Sequence, residues 1–204
     1  MKEMLGEEYA AFYASYDLPK YQALRINPLK TERDTFLLQA PFSLNRVPWT
    51  TNGYYYSGND QPGRHPYHEA GVYYIQEPSA MAPAEYLMAE PGERILDLCA
   101  APGGKSSQIA CSMQGEGLIV CNEIHPARAK ILSENIERMG VCNALVTNET
   151  PQKLSDNFRE YFDRILVDAP CSGEGMFRKN EDACDEWSPE NVENCAARQA
   201  EILD

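Results

Sequence analysis

The segment at residues 96–107 of this 204-residue chain reads LDLCAAPGGKSS, and it carries the strongest signal for the class of fold. An apolar run closes with an aspartate, and a loop of small residues then leads to a lysine and two serines. The segment differs at one position from the phosphate-binding pattern G-x-x-x-x-G-K-[ST], because Cys99 stands where the first glycine belongs. It therefore leaves two classes open, a Rossmann-like domain with an adenosine-type cofactor and a P-loop NTPase.

Short β-rich runs that end in polar residues alternate with helical segments from about residue 71 onward. Such alternation predicts an α/β fold with a parallel sheet and right-handed crossovers. Between the second and third runs, Pro126 suits a first helical position and Gly140 suits a helix end, which predicts a helix between them. The four predicted strands cover residues 94–98, 118–122, 144–148 and 164–168.

Two domains are predicted. Residues 1–70 combine a short helical opening with a turn-rich stretch, which indicates a small α+β domain with a possible RNA contact. Residues 71–204 form the Rossmann-like domain. The sequence ends inside a predicted helix after only four strands, whereas open doubly wound sheets usually have more. We therefore expect the chain to be the N-terminal part of a longer protein, with an incomplete sheet.

Composition excludes several classes of protein. Neither an apolar run of membrane-spanning length nor a signal peptide is present, so we expect a cytoplasmic protein without a membrane contact. Seven cysteines without a C-x-x-C pair argue against disulfides and a zinc site, and we expect no metal. The net charge of −13 disfavours binding to nucleic acid, but residues 181–204 carry eight of the 31 acids and one base. An RNA-binding face elsewhere therefore stays open, and we expect a monomer.

Ligands in open α/β sheets bind beyond the carboxyl ends of the strands, so the residues after each predicted strand are candidates. Gly103 and Gly104 let the backbone approach a ligand closely at a helix start. Glu123 follows Gly104 at about the 20-residue spacing at which an acid binds the ribose of an adenosine-type cofactor. A solvated residue at a helix start is the alternative for Glu123. Asn148 and Glu149 could contact an adenine or simply form a turn.

The fourth strand leads into ILVDAPCSGEGMFRK at residues 165–179. Asp168 could pass for the metal-binding acid of an NTPase, but the small-residue loop after it is not typical of NTPases. The loop presents Cys171 beside proline, serine and glycine, which favours an exposed thiol with a chemical role over inert packing.

Three segments, DLCAAPGGKSSQIA, NEIHPARAKILSENIERMG and FDRILVDAPCSGEGMFRKN, closely resemble the Sun/Nop family of RNA (cytosine-5) methyltransferases. The segment YYIQEPSAM at residues 73–81 resembles the family's branch of bacterial ribosomal RNA small-subunit methyltransferase F. The resemblance implies a Rossmann-like class I S-adenosylmethionine-dependent methyltransferase fold, with Glu123 at the ribose, a residue at or near Asn148 at the adenine and Asp168 towards the methyl-transfer site. The implied cofactor loop is Cys99, Ala100, Ala101, Pro102, Gly103, Gly104 and Lys105.

The resemblance also implies a chemistry. A cysteine thiolate adds to carbon 6 of cytosine so that carbon 5 can accept the methyl group. Cys171 corresponds to the cysteine that assists product release, and Asp168 would hydrogen-bond the base. The attacking cysteine lies in a later Thr-Cys motif, and no Thr-Cys pair occurs in these 204 residues. We therefore expect this chain alone to be catalytically inactive and the full-length protein to be active.

The expected substrate is a cytosine of RNA, most readily 16S ribosomal RNA. A transfer RNA substrate, a non-catalytic RNA-binding fragment and a P-loop-like NTPase are the alternatives. Arg178 and Lys179 could contact RNA phosphates or be solvated, and His65 with His68 form an H-x-x-H pair that lacks a third metal ligand. Several tyrosines could stack on bases or pack in the core: Tyr54, Tyr55, Tyr56, Tyr67, Tyr73 and Tyr74.

Overall fold

The computed structural model describes residues 2–177 and 182–203. The chain divides into two compact units, Gln22–Ala169 and a second unit that joins Met1–Tyr21 with Pro170–Asp204. The larger unit contains an antiparallel and a parallel sheet of four strands each. The domain boundary near residue 70 stays a prediction.

The helices of the described residues are mostly short. The two longest are Pro126–Met139, which follows the second strand of the parallel sheet, and Pro189–Leu203. In chain order they are α1 (Lys2–Leu5), α2 (Tyr9–Ala14), α3 (Arg33–Gln39), α4 (Pro66–Glu69), α5 (Ala82–Leu87), α6 (Gly104–Met113), α7 (Pro126–Met139), α8 (Pro151–Asn157), α9 (Asp182–Glu186) and α10 (Pro189–Leu203).

The antiparallel sheet has the strand order β2-β3-β1-β4. Of the tyrosines considered for base stacking, Tyr54 and Tyr73 are buried in its core beside Phe36. Packing therefore accounts for these two side chains, which cannot stack on a base from this position. The strands are β1 (Ala23–Ile26), β2 (Leu44–Arg46), β3 (Gly53–Tyr56) and β4 (Tyr73–Ile75).

The parallel sheet contains β5 (Arg94–Asp97), β6 (Leu118–Asn122), β7 (Ala144–Thr147) and β8 (Arg164–Leu166), in the order β7-β6-β5-β8. All three pairings are parallel. The chain moves outward from β5 to β7 and then returns to the other side of β5, so the strand order reverses between β5 and β8. The predicted α/β Rossmann-like fold is confirmed, and this reversal marks where such folds bind ligands.

Helices α5, α6 and α7 pack on one face of the parallel sheet and bury its apolar side chains. Ile95 and Ile119 of the sheet form one cluster with Ile109 and Leu132 of the helices. Each fully buried side chain of this size stabilises the fold by about 1.5–3 kcal/mol. Helix α7 begins at Pro126 as predicted, and Gly140 ends it in the left-handed region at φ 73°.

The second unit contains α1, α2, α9 and α10. Aromatic rings of its N-terminal helices pack together, with Tyr9 and Tyr13 stacked at 5.9 Å between ring centroids. In its C-terminal part, the Trp187 indole donates a hydrogen bond of 2.8 Å to Glu174. Within the described parts of the chain, no helix combines the length and the apolar character that crossing a membrane requires.

Candidate functional site

The loop between β5 and α6 forms a tight turn at the carboxyl end of the sheet. The backbone N–H of Ala100 donates to the Asn122 carbonyl at 2.8 Å, and that of Gly103 donates to the Ala100 carbonyl at 2.8 Å. Gly103 has φ 107°, and a Cβ atom there would lie 3.1 Å from Leu132 Cδ1. This position therefore requires glycine. Helix α6 starts at Gly104 and directs its first N–H groups into the crevice, where an anionic group can bind.

Three carboxylates surround the thiol of Cys99. Burial first, and then the charges of Asp97, Glu123 and Asp168, raise the pKa of Cys99 to about 11. The thiol is consequently neutral at pH 7 and unsuited to nucleophilic attack. Two of these carboxylates have a basic partner, because Glu123 pairs with Arg128 at 3.2 Å and Asp168 pairs with Lys105 at 2.6 Å. The excess negative charge at the crevice is therefore smaller than three carboxylates alone would give.

The predicted ribose ligand Glu123 lies directly after β6, and its side chain is 3% exposed. One carboxylate oxygen accepts a hydrogen bond from the His125 backbone N–H at 3.0 Å, and the other lies 3.2 Å from Arg128 Nη1. The second guanidinium nitrogen of Arg128 donates to the Ala101 carbonyl at 3.0 Å. Arg128, which the sequence analysis did not identify, thus links Glu123 to the cofactor loop.

Asn122 connects the loops that follow three neighbouring strand ends, and sequence reasoning did not identify it either. Its buried side-chain N–H₂ donates to the Leu98 and Glu149 carbonyls at 3.2 and 3.0 Å. Its Oδ1 accepts from the Thr147 hydroxyl and from the Glu149 N–H at 2.8 and 3.0 Å. Strand β5 ends at Asp97, one residue before the predicted Leu98, whose carbonyl accepts from Asn122 while its N–H still donates to the Leu166 carbonyl at 3.0 Å.

The predicted adenine contact Asn148 is exposed and follows β7. Its Nδ2 donates to the Glu123 carbonyl at 2.6 Å. This bond brings Asn148 next to Glu123, as expected for residues that follow neighbouring strands. The predicted role of Asn148 at an adenine stays a prediction.

Lys105 and Asp168 meet across the point where the strand order reverses. The Lys105 ammonium lies 2.6 Å from an Asp168 carboxylate oxygen, and the two side chains are 20% and 57% exposed. The loop after β5 and the segment after β8 are therefore adjacent. Strand β8 ends at Leu166, two residues before the predicted end, which leaves Asp168 outside the ladder.

Asp97 lies beneath this ion pair and is 1% exposed. Its Oδ2 accepts a hydrogen bond of 2.7 Å from Ser106, while its Oδ1 has no hydrogen-bond partner in the described structure. Burial raises the pKa of Asp97 to about 6, against the opposing effect of the Ser106 bond.

Cys171, the second predicted catalytic residue, belongs to the other compact unit and is exposed. Its role in catalysis stays a prediction. Arg178 and Lys179 lie outside the described residues. His65 accepts a hydrogen bond from the Tyr67 N–H at the start of α4, and the described part of the chain contains no group of three possible metal ligands.

A pocket of about 510 Å³ lies elsewhere in the larger unit, against β1, α5 and α6. None of the predicted site residues lines it. The candidate site remains the crevice, where the glycine loop, the buried acid and the Lys105–Asp168 pair converge. The pocket is lined by Arg25, Pro28, Leu29, Thr51, Asn52, Glu85, Gln108, Cys111, Ser112 and Gln114.

Two family models match this chain. Residues 84–204 match the family described as 16S rRNA methyltransferase RsmB/F, and residues 1–78 match the N-terminal domain of 16S rRNA methyltransferase RsmF. The chain belongs to the RsmB/F methyltransferase family. The Sun/Nop resemblance is thereby confirmed, and so is the expected fold of an S-adenosylmethionine-dependent methyltransferase.

Relatives of the RsmB/F family agree with this assignment. Ribosomal RNA small subunit methyltransferase F of Escherichia coli O157:H7 is 40% identical over 202 residues, which cover 95% of this chain and 42% of that protein. The crystal structure of PH0851 has a TM-score of 0.90 at 25% identity and covers 99% of this chain and 47% of its own. The methyltransferase homolog protein from Pyrococcus horikoshii has a TM-score of 0.76 at 31% identity, with 88% and 60% covered. The chain spans about two fifths of the length of the curated relatives it matches.

Proposed function

We propose that this chain supplies the cofactor site of an RNA (cytosine-5) methyltransferase that modifies small-subunit ribosomal RNA. The observation that carries the proposal is the convergence of the glycine loop, Glu123 and Asp168 at the reversal of strand order. Bound S-adenosylmethionine supplies an electrophilic methyl group on a sulfonium. The residues present suit this cofactor in shape and in charge.

Shape is supplied by the loop from Cys99 to Lys105. At Gly103 and Gly104 an added Cβ would lie 3.1 Å from Leu132 and 3.2 Å from Tyr74, so glycine lets the loop pack closely against the side chains behind it. The N–H groups at the start of α6 would hold the carboxylate of the amino-acid part. Glu123 would accept hydrogen bonds from the ribose hydroxyls, and Asn148 would lie near the adenine.

Charge distinguishes the cofactor from a triphosphate. Asp97, Glu123 and Asp168 all face the Cys99 thiol closely enough to raise its pKa, while Lys105 is paired with Asp168. Arg128 is likewise paired with Glu123. Because both cations are engaged with carboxylates, they are not available to neutralise a triphosphate, whereas a sulfonium needs no cation. This supports the methyltransferase over the P-loop NTPase.

Asp168 and Cys171 are the residues we propose to act on the RNA substrate. Asp168 would hydrogen-bond the target cytosine, which must leave its stack to enter such a pocket. Cys171 would assist release of the methylated base from a second cysteine, which attacks carbon 6. We propose that the attacking cysteine belongs to a part of the protein beyond these residues.

Calorimetric titration tests the cofactor site on this chain. We expect S-adenosylmethionine to bind and ATP with Mg²⁺ not to bind, and the reverse result would refute the proposal.

In a protein of the relatives' length, Cys171→Ala should accumulate protein–RNA conjugates on a denaturing gel. Bisulfite mapping of cellular RNA with and without the intact gene would then identify the cytosine, and a modified tRNA with unmodified 16S rRNA would favour the tRNA alternative.

A further inference from the structure

Arg25 is a buried cation in the middle of β1. It is 1% exposed, and burying an unpaired charge costs several kcal/mol. Burial lowers its pKa, although a guanidinium stays protonated in proteins. A buried strand arginine therefore needs strong partners, and their identity shows what the residue does.

The hydrogen-bond partners that the described structure gives this guanidinium are all uncharged, and three of them lie on α6. Nη2 donates to the Gly104 carbonyl at 3.2 Å and to Ser107 Oγ at 2.8 Å. Nη1 lies 3.7 Å from Cys111 Sγ. Nε donates to Gln76 Oε1 at 3.1 Å, which fixes the plane of the guanidinium. The antiparallel sheet thus holds the first turn of the helix that follows the cofactor loop.

The Gly104 carbonyl belongs to the same planar peptide group as the Lys105 N–H. In a trans peptide the two groups point in opposite directions, so fixing the oxygen also fixes the N–H. Arg25 binds the oxygen from the sheet side and leaves the Lys105 N–H directed towards the crevice. Tyr74 and Gln76 lie behind Gly104, where an added Cβ would be 3.2 and 3.5 Å from their side chains.

We propose that Arg25 is a positioning residue for S-adenosylmethionine: it orients the Gly104–Lys105 peptide so that the start of α6 can bind the cofactor carboxylate. The inference rests on the proposed function, because it requires the cofactor to lie at this helix start. It also gives the antiparallel sheet a part in cofactor binding, because side chains of this sheet and of the segment after it pack behind the cofactor loop.

A purely structural role for Arg25 would be to join β1 to the parallel sheet, and Asn27 provides the matched control. Asn27 follows β1, is fully buried and donates to the Gly71 and Met139 carbonyls at 2.8 Å each. Its Oδ1 accepts from the Leu29 N–H at 3.1 Å and lies 3.4 Å from Cys111 Sγ, in the last turn of α6. In the described structure, the side-chain bonds of Asn27 thus do not reach the first turn of α6. Asn27→Ala therefore weakens the same junction without touching the Gly104 peptide.

The test measures the dissociation constant for S-adenosylmethionine and the urea midpoint of the wild type, Arg25→Lys, Arg25→Gln, Ser107→Ala and Asn27→Ala. We expect Arg25→Gln to weaken binding about tenfold, and Arg25→Lys and Ser107→Ala to weaken it less. Asn27→Ala should lower the urea midpoint yet keep the dissociation constant within about twofold. The double variant Arg25→Gln with Ser107→Ala should lose less binding free energy than the two single variants together, because Arg25 and Ser107 share one hydrogen bond.

An NMR measurement keeps the test decisive if Arg25→Gln does not fold. In the ligand-free protein, Arg25→Lys should shift the amide signal of Lys105, and Asn27→Ala should not. Ser107→Ala is left out of this comparison, because the Ser107 hydroxyl itself donates to the Gly104 carbonyl at 3.2 Å. Equal losses of affinity in the Arg25 and Asn27 variants, or an unmoved Lys105 signal, would overturn the inference while wild-type binding keeps the proposed function intact. A wild type that binds no S-adenosylmethionine would refute the proposed function and the inference with it.

Discussion

The ammonium of Lys105 lies 2.6 Å from the carboxylate of Asp168, although 63 residues separate them in the chain. This pair joins the cofactor loop to the residue proposed to contact the target base. Because Asp168 is more than half exposed, the pair contributes less than about 1 kcal/mol to stability. We infer that the pair positions the two segments, and Lys105→Met tests this.

Lys105→Met should separate function from stability. We expect the free energy of unfolding to change by less than about 1 kcal/mol, while affinity for S-adenosylmethionine falls severalfold because the cofactor loop loses its link to the segment after β8. Urea unfolding and calorimetry provide the two measurements, and Lys130→Met on exposed α7 is the matched control. A large loss of stability with unchanged affinity would contradict the assignment.

Glu123→Ala should weaken the binding of S-adenosylmethionine about tenfold or more, since the lost charge-assisted bonds are worth about 1.5–3 kcal/mol. Glu134→Ala is the control, because Glu134 is an exposed carboxylate of α7 whose ion pair with Lys130 spans 3.9 Å. Calorimetric titration of both variants measures the difference. Equal dissociation constants would remove Glu123 from the cofactor site.

Asn122→Ala should destabilise the protein by about 2–4 kcal/mol, because it removes four side-chain hydrogen bonds and leaves buried partners unsatisfied. Asn143→Ala loses one exposed bond of 3.0 Å to the Glu116 carbonyl and should cost less than about 1 kcal/mol. Chemical denaturation measures both values. A cost for Asn122→Ala no larger than the control's would show that these bonds are not formed in solution.

The contribution of Asp97 to the free energy of unfolding should decrease as pH rises from about 4 to 6. Its folded pKa of about 6 lies above its ordinary value of 3.8, so the folded state holds the proton in this interval and the unfolded state does not. Asp97→Asn should therefore gain stability relative to the wild type across this interval, by up to about 3 kcal/mol. Urea unfolding at several pH values measures the trend.

Asp163→Asn gives a control of opposite sign for that experiment. The Arg94 guanidinium lowers the pKa of Asp163, so its contribution is present above its ordinary pKa and is lost on acidification. The stability of this variant relative to the wild type should therefore rise as pH falls. A pH-independent difference between Asp97→Asn and the wild type would contradict the raised pKa.

Cys99 should resist alkylation. With a pKa of about 11, its thiol carries almost no thiolate at pH 8, whereas Cys142 is exposed at the surface. Brief treatment with iodoacetamide followed by peptide mass spectrometry should find Cys142 modified well before Cys99. Faster modification of Cys99 would mean that the three carboxylates do not surround it as described.

The strands of the parallel sheet and helix α7 could be predicted from the sequence because their signals are local. Apolar runs mark the strands, and Pro126 and Gly140 mark the helix. The side chains that assemble the crevice gave no such signal. Arg25 bonds a residue 79 positions away and Asn122 one 24 positions away, so their roles exist only once the sheets have formed.

Asn122 also limits how this scaffold can be redesigned. Because one amide holds the backbone after both adjoining strands, a graft or insertion in either loop would also disturb the other. Engineering a new specificity here would require changing both loops together. Alternatively, the Asn122 side chain would first have to be replaced by separate hydrogen-bond partners for each loop.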